Sequence, residues 1–254
     1  PAPLDAAIHP YAMEVPGNGI DETGVGGDLP VDEAGYEEPP PDAPRFARQP
    51  PVIFVILETF RADVIEQRRD GREITPFLNA TARAGPFSGR AFSHNGWTIG
   101  SRFHSFTGSL GGRRRATSLV DDFNANGYET GFFSAQDESF GEELDVGFNR
   151  ASVPYDGRQD IDLRFSASTS PGSLGVPHQV VEKRIREWLA RRDRSRPLFL
   201  HVNLQETHYP YNHARLEPLF SSLRMSPRDM RPGRRADIEA IYANAAANVD
   251  GALG

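Results

Sequence analysis

The run Val52-Ile53-Phe54-Val55-Ile56-Leu57 constrains this chain more than any other segment. It has the length of a strand and no hydrophilic face, so both of its sides need cover, as in a parallel sheet packed between helices. The rest of the sequence supplies that cover. Thr75 as cap and Pro76 at the first helical position open a helix that Gly85 closes. A short strand near Ala91 to Ser93 is expected next, then a helix from Thr98 to Leu110 and another from Ser118 to Asn126, stopped by Gly127. A strand at Glu129 to Ser134, an amphipathic helix from His178 to Arg192, a second buried strand at Pro197 to Leu204 and a helix from Arg235 to the end follow. This alternation predicts an α/β fold with a mainly parallel central sheet flanked by helices. With 21 Pro and 24 Gly, a coiled coil or helical bundle is excluded.

Charge divides the chain in two. Residues 1–44 carry ten acids and no Lys or Arg, whereas the remainder holds 28 bases against 25 acids. Residues 1–47 also lack hydrophobic periodicity and include Glu37-Glu38-Pro39-Pro40-Pro41-Asp42, so they are expected to form a linker or disordered arm ahead of a domain at 48–254. The absence of cysteine rules out disulfides, thiolate metal sites and a thiol nucleophile. No apolar run approaches the roughly 18 to 20 residues of a membrane-spanning helix. Gly111-Gly112-Arg113-Arg114-Arg115 clusters positive charge but has no interleaved aromatics, so a solvated loop is expected there and no nucleic-acid partner.

Ligands of open α/β sheets bind outside the carboxyl ends of the strands. Two such ends are polar here: Glu58-Thr59 after the first strand and Gln205-Glu206-Thr207-His208 after the second buried one. Between them Trp97-Thr98-Ile99-Gly100-Ser101-Arg102 enters a helix, where a hydroxyl, free backbone N–H groups and a fixed positive charge together suit a tetrahedral anion. Read alone, each residue has a plainer role. Glu58 could cap a helix or pair with Arg61, Thr98 could be an N-cap, Arg102 could pair with an acid at the surface, and His208 could be a turn histidine before Pro210. His201 reads as a satisfied core residue and Asp63 as a structural ion pair, while His94, Asn95 and His213 lie near the motifs with no assigned task.

Four segments in order resemble the sulfatase-like branch of the alkaline phosphatase superfamily. They are Leu57-Glu58-Thr59-Phe60-Arg61-Ala62-Asp63, Thr75-Pro76-Phe77-Leu78, Thr98-Ile99-Gly100-Ser101-Arg102 with Phe106-Thr107-Gly108, and Thr207-His208-Tyr209-Pro210-Tyr211. The resemblance covers about residues 50 to 254. True sulfatases have at the Thr98 position a cysteine or serine converted to formylglycine, and usually two aspartates where this chain has Glu58-Thr59. A threonine there, with a single glutamate, is closer in motif to lipoteichoic acid synthases and phosphoethanolamine transferases.

The resemblance implies Thr98 as nucleophile and metal ligand, Glu58 as metal ligand, and Arg102 and His208 as substrate contacts, with Ser101 in support. It implies one or two divalent metal ions, Mn, Mg, Ca or Zn, which would make the threonine alkoxide available for in-line attack at phosphorus. The substrates implied are phosphodiesters or phospholipid head groups. The alternatives are sulfate ester hydrolysis or a non-catalytic module without a complete metal site. The family's Asp-His pair would lie beyond Gly254, so this segment is expected to stop in mid-domain, to bind metal poorly and to be inactive alone. An extracytoplasmic location, periplasmic or at the cell surface, with a membrane tether outside the segment, is expected from the linker-like arm.

Overall fold

A computed structural model describes residues 8, 15, 17–22, 27–28, 44–89, 91–93, 96–108, 117–139, 146–165 and 175–254. The regular elements are β1 (Val52–Leu57), β2 (Arg68–Arg69), β3 (Arg72–Glu73), α1 (Pro76–Ala84), α2 (Thr98–Thr107), α3 (Leu119–Ala125), β4 (Glu129–Ser134), β5 (Val153–Tyr155), α4 (His178–Leu189), β6 (Leu198–Leu204) and α5 (Arg235–Leu253). Strands β1, β6, β4 and β5 lie in that order, each parallel to its neighbour, and β2 and β3 form a small separate ribbon. The expected α/β architecture with a parallel central sheet is therefore the observed one.

Strand periodicity divides β6 between two cores. Leu198, Leu200, Val202 and Leu204 pack with Phe133, Trp188 of α4 and Val249 of α5 on one face. Phe199, on the other face, joins Phe106 of α2, Val120 and Phe123 of α3, and Phe132. Cover on both sides holds for β6, which is buried at every position, whereas β1 lies at the sheet edge, is half buried and leaves Ile53 62% exposed, so the expected two-sided cover of that run is incomplete. Gly131 is where close approach requires a glycine, since a Cβ there would meet the Trp188 ring at 2.5 Å.

Local chemistry fixes the helix ends. Ser118 and Asp121 form a reciprocal capping box at α3. The first turn of α1 is capped from a distance, because the Phe77 and Leu78 N–H groups donate to the Asp250 carboxylate of α5. Earlier on α5, Asn244 and Asn248 accept from the backbone N–H groups of Phe220 and Glu217 respectively, which pins the irregular stretch between β6 and α5.

Several boundaries differ from the sequence reading. Residues 91–93 form no strand. Helix α2 ends at Thr107, capped by Gly108 at φ 66°, and Leu110 and the arginine cluster at 113–115 lie outside the described residues. Helix α4 stops at Leu189, short of Arg192. Strand β5 went unanticipated because it has three residues, one of them Pro154, which is tolerated at a sheet edge and masks a strand pattern. Among the described residues no helix is long and apolar enough to cross a membrane.

Candidate active site

Side chains just beyond the carboxyl ends of β1 and β4, Glu58 and Glu138, reach α2. On β1, Phe54 and Ile56 point toward the α2 and α3 core, and alternation carries Glu58 to the same side one step beyond the strand. Glu58 is 8% exposed, and its backbone N–H donates to Leu204 in the last position of β6. The Thr98 hydroxyl donates to Glu58 Oε2 at 3.1 Å. Glu58 Oε1 is buried with no hydrogen-bond partner among the described residues. Two residues forty positions apart in the chain therefore meet in one polar contact.

Thr98 is the first residue of α2 rather than its cap. Trp97 occupies the cap position with extended backbone and makes no side-chain cap bond. A threonine in the cap would spend its hydroxyl on the backbone of its own helix. At the first helical position the hydroxyl is available to Glu58 instead. Ser101, one turn on, meets Ser93 at 3.0 Å.

Arg102 follows Thr98 by four residues on the same helix face, and it is not at the surface. Its Nη1 donates to Glu138 Oε2, with the two side chains 10% and 3% exposed. Arg102 Nε and Nη2 and Glu138 Oε1 have no partner among the described residues. Burial pushes the Glu138 carboxyl above the usual range, although Arg102 pulls in the opposite direction. The Glu138 N–H donates to Asp156 Oδ2, and Asp156 in turn takes Arg158 Nε at 2.7 Å. Arg102 is thus half of a buried ion pair with Glu138, which the sequence reading missed.

His201 is fully buried among Phe54, Phe106 and Phe132, and neither ring nitrogen has a hydrogen-bond partner among the described residues. It is a core residue as expected but not a satisfied one, and burial, with the nearby Arg102 charge second, holds it neutral. Asp63 pairs with Arg61, as expected, which leaves Glu58 free of that partner.

His208 lies in the turn after β6. Its N–H donates to Gln205 and its Nδ1 lies 3.0 Å from the Tyr209 carbonyl. His94 and Asn95 fall outside the described residues.

A second buried cluster lies at the start of α4. Glu206 accepts from the His178 backbone N–H and contacts His178 Nδ1 at 3.0 Å. Nearby, His213 stacks on Phe165 with ring centroids 4.3 Å apart. Burial pushes its pKa down to about 4, with Glu206 opposing and His178 adding to the shift. A base whose folded pKa lies below its unfolded value of 6.5 contributes stability above that pH and loses it as pH falls toward 4. His213 is expected to account for about 3 kcal/mol of acid destabilisation in urea titrations across that window. His213→Asn should flatten this part of the profile, and identical pH profiles for variant and wild type would rule the assignment out.

No group of three or more His, Asp or Glu among the described residues is disposed to hold a metal ion. The Glu58 carboxylate and the Thr98 hydroxyl are hard oxygen donors in mutual contact, with one carboxylate oxygen buried and unpartnered. That set fits part of the shell of a divalent cation.

The family model described as Sulfatase matches residues 50–254. Among solved structures, the lipoteichoic acid synthase LtaP from Listeria monocytogenes is similar at 18% identity with a TM-score of 0.59, covering 81% of this chain and 50% of that one. The C-terminal periplasmic domain of EcEptC from Escherichia coli, in complex with Zn, is 17% identical with a TM-score of 0.58, covering 81% and 58%. The soluble domain of lipooligosaccharide phosphoethanolamine transferase A from Neisseria meningitidis is 19% identical with a TM-score of 0.55, covering 82% and 62%. The chain thus spans half to about three fifths of these structures. No curated protein sequence matches it.

Proposed function

From the chain's membership of the sulfatase family, within the alkaline phosphatase superfamily, we propose that it carries the nucleophile half of a metal-dependent phosphoryl-type transferase or hydrolase acting on phosphodiesters or phospholipid head groups. The observation that carries this reading is the 3.1 Å contact of the Thr98 hydroxyl with the buried Glu58 carboxylate at the mouth of a parallel sheet.

The chemistry follows from where these groups sit. Thr98 Oγ1 attacks phosphorus in line as its proton passes to the Glu58 oxygen that already accepts its hydrogen bond, and the P–O bond to the leaving group breaks, the departing alkoxide taking a proton from water to leave as the alcohol. A divalent cation held by Glu58 and Thr98 would lower the hydroxyl pKa and neutralise developing charge. The phosphoryl group then passes from Thr98 to water or to an acceptor alcohol, the acceptor giving up its proton and the threonine hydroxyl being regenerated. The first turn of α2 presents backbone N–H groups to the transferring anion, and Arg102 stands one turn behind as a fixed positive charge. His208 contributes from the β6 turn on the substrate side. A periplasmic or cell-surface setting, tethered outside this segment, and residues 1–47 as a linker to the 48–254 domain are part of the same reading. Two of the similar structures are described as a periplasmic domain and a soluble domain.

The test is turnover of bis(p-nitrophenyl) phosphate by the full native protein after chelation and after adding back Mn, Mg, Ca or Zn. Chelation should lower the rate by about 100-fold or more, and one of these ions should restore it. Activity indifferent to chelation would sink the metal-assisted reading. Preferential cleavage of p-nitrophenyl sulfate would redirect it to sulfate esters, and no turnover of either ester with any ion would favour a non-catalytic module.

A further inference from the structure

Thr59 follows Glu58 directly and holds φ at 53°, the left-handed region that a β-branched residue rarely enters. Such strain persists only where surrounding contacts over-determine the conformation. Here they can be named. The Thr59 hydroxyl donates to the Thr207 carbonyl at 2.5 Å, and the Thr207 hydroxyl donates back to the Glu58 carbonyl at 2.7 Å. The Tyr242 hydroxyl of α5 donates to the Thr59 carbonyl at 2.9 Å and accepts the Arg61 N–H at 2.7 Å. Thr207 is fully buried, Tyr242 is nearly so, and burial pushes the Tyr242 phenol up to about 12, so it remains a proton donor at neutral pH.

We propose that Thr207 and Tyr242 are positioning residues that latch the Glu58-Thr59 turn to the His208 turn, so that the metal-side carboxylate and the substrate-side histidine are held as one unit. The inference rests on the functional reading above. The exchange between Thr59 and Thr207 joins the exits of β1 and β6, and His208 is the next residue after Thr207. Tyr242 fixes the other side of the turn by clamping the backbone before and after Phe60. With the left-handed turn held this way, the Glu58 side chain is aimed toward α2 and not into the α5 layer. Losing either hydroxyl frees the strained turn to relax, and the carboxylate moves relative to Thr98.

The test compares Thr207→Val, Thr207→Ser and Tyr242→Phe with wild type in the full native protein, reading kcat, KM, the Mn²⁺ concentration for half-saturation by calorimetry, and Tm. Thr207→Val and Tyr242→Phe should each lower kcat by about 10- to 100-fold and weaken Mn²⁺ binding by about 10-fold, with KM little changed. Thr207→Ser keeps the hydroxyl and should stay within about 3-fold of wild type. Should Thr207→Val fail to fold, Tyr242→Phe decides the matter alone, since it removes one oxygen and keeps the ring. A lower Tm with wild-type kcat and Mn²⁺ affinity would overturn the latch and leave a purely structural role. Glu58→Gln and Thr98→Ala run in parallel: if they retain full activity, the functional reading fails, whereas their inactivity beside unaltered Thr207→Val and Tyr242→Phe refutes the latch alone.

Discussion

Thr98→Ala is expected to lower phosphodiester turnover by about 10⁴-fold or more in the full native protein, while Ser101→Ala keeps part of it. The size of the effect comes from the kind of group removed. A nucleophile that forms the covalent intermediate has no substitute in the site, and what survives its loss is the rate supplied by charge stabilisation and binding alone. The geometry separates the two candidate hydroxyls. Thr98 is hydrogen-bonded to a buried carboxylate, whereas Ser101 meets Ser93, a neutral hydroxyl with no power to take up its proton. Thr98→Ser should retain measurable activity, because it preserves the oxygen. Single-turnover kinetics with mass detection of a phosphorylated peptide containing residue 98 gives the second readout. A Thr98→Ala enzyme as active as wild type, or a Ser101→Ala enzyme equally dead, would remove this assignment.

How much of this was legible in the sequence depended on burial and on chain separation. β6 is buried at every position and β1 is apolar throughout, so both runs are readable, although at the sheet edge β1 is only half buried and leaves Ile53 exposed. The start of α2 was readable to one residue, but the residue mattered, since it decides whether the Thr98 hydroxyl serves its own helix or Glu58. Polar residues at the carboxyl ends of parallel strands were the signal that found Glu58 and His208. The same signal marks Gln136-Asp137-Glu138 after β4, and applying it there would have found the partner of Arg102.

Other features had no sequence signal. Tyr242 sits in a helix of mostly small and apolar residues, 183 positions from the carbonyl it holds. Nothing local in the chain marks it as different from a core aromatic. Thr59 could not be assigned a left-handed conformation from its identity, because threonine disfavours that region and only tertiary contacts impose it. The acidic and histidine-bearing cluster of Glu206, His178 and His213 is likewise assembled from three segments, the β6 exit, the start of α4 and the loop beyond.

The buried Arg102–Glu138 ion pair, one turn along α2 from Thr98, supplies the largest expected effect on stability. Arg102→Met should destabilise the fold by about 3 to 5 kcal/mol at pH 7, since it leaves the Glu138 carboxylate buried without its cation. The double change of Arg102→Met with Glu138→Leu should recover much of that loss, because neither desolvated charge remains and two apolar side chains of similar volume fill the space. The pH dependence has a definite sign. Burial already raises the Glu138 carboxyl above its ordinary 4.5, and removing Arg102 takes away the charge that opposes this. An acid whose folded pKa is raised contributes stability below its unfolded value and loses it as pH rises through the folded one. The deficit of Arg102→Met relative to wild type should therefore be small near pH 4.5 and grow toward pH 7. Urea unfolding at both pH values measures it; acid loss from His213 cancels in the comparison because both proteins share it, whereas His201, part of whose shift comes from Arg102, is eased in the variant and shrinks the deficit further on acidification. A single variant as stable as wild type at pH 7, or a deficit that does not shrink on acidification, would show that Glu138 is neutral in the native fold. The charge one turn along from Thr98 would then be an unpaired Arg102, which would strengthen its role toward a transferring anion and weaken the ion-pair account of how α2 is held.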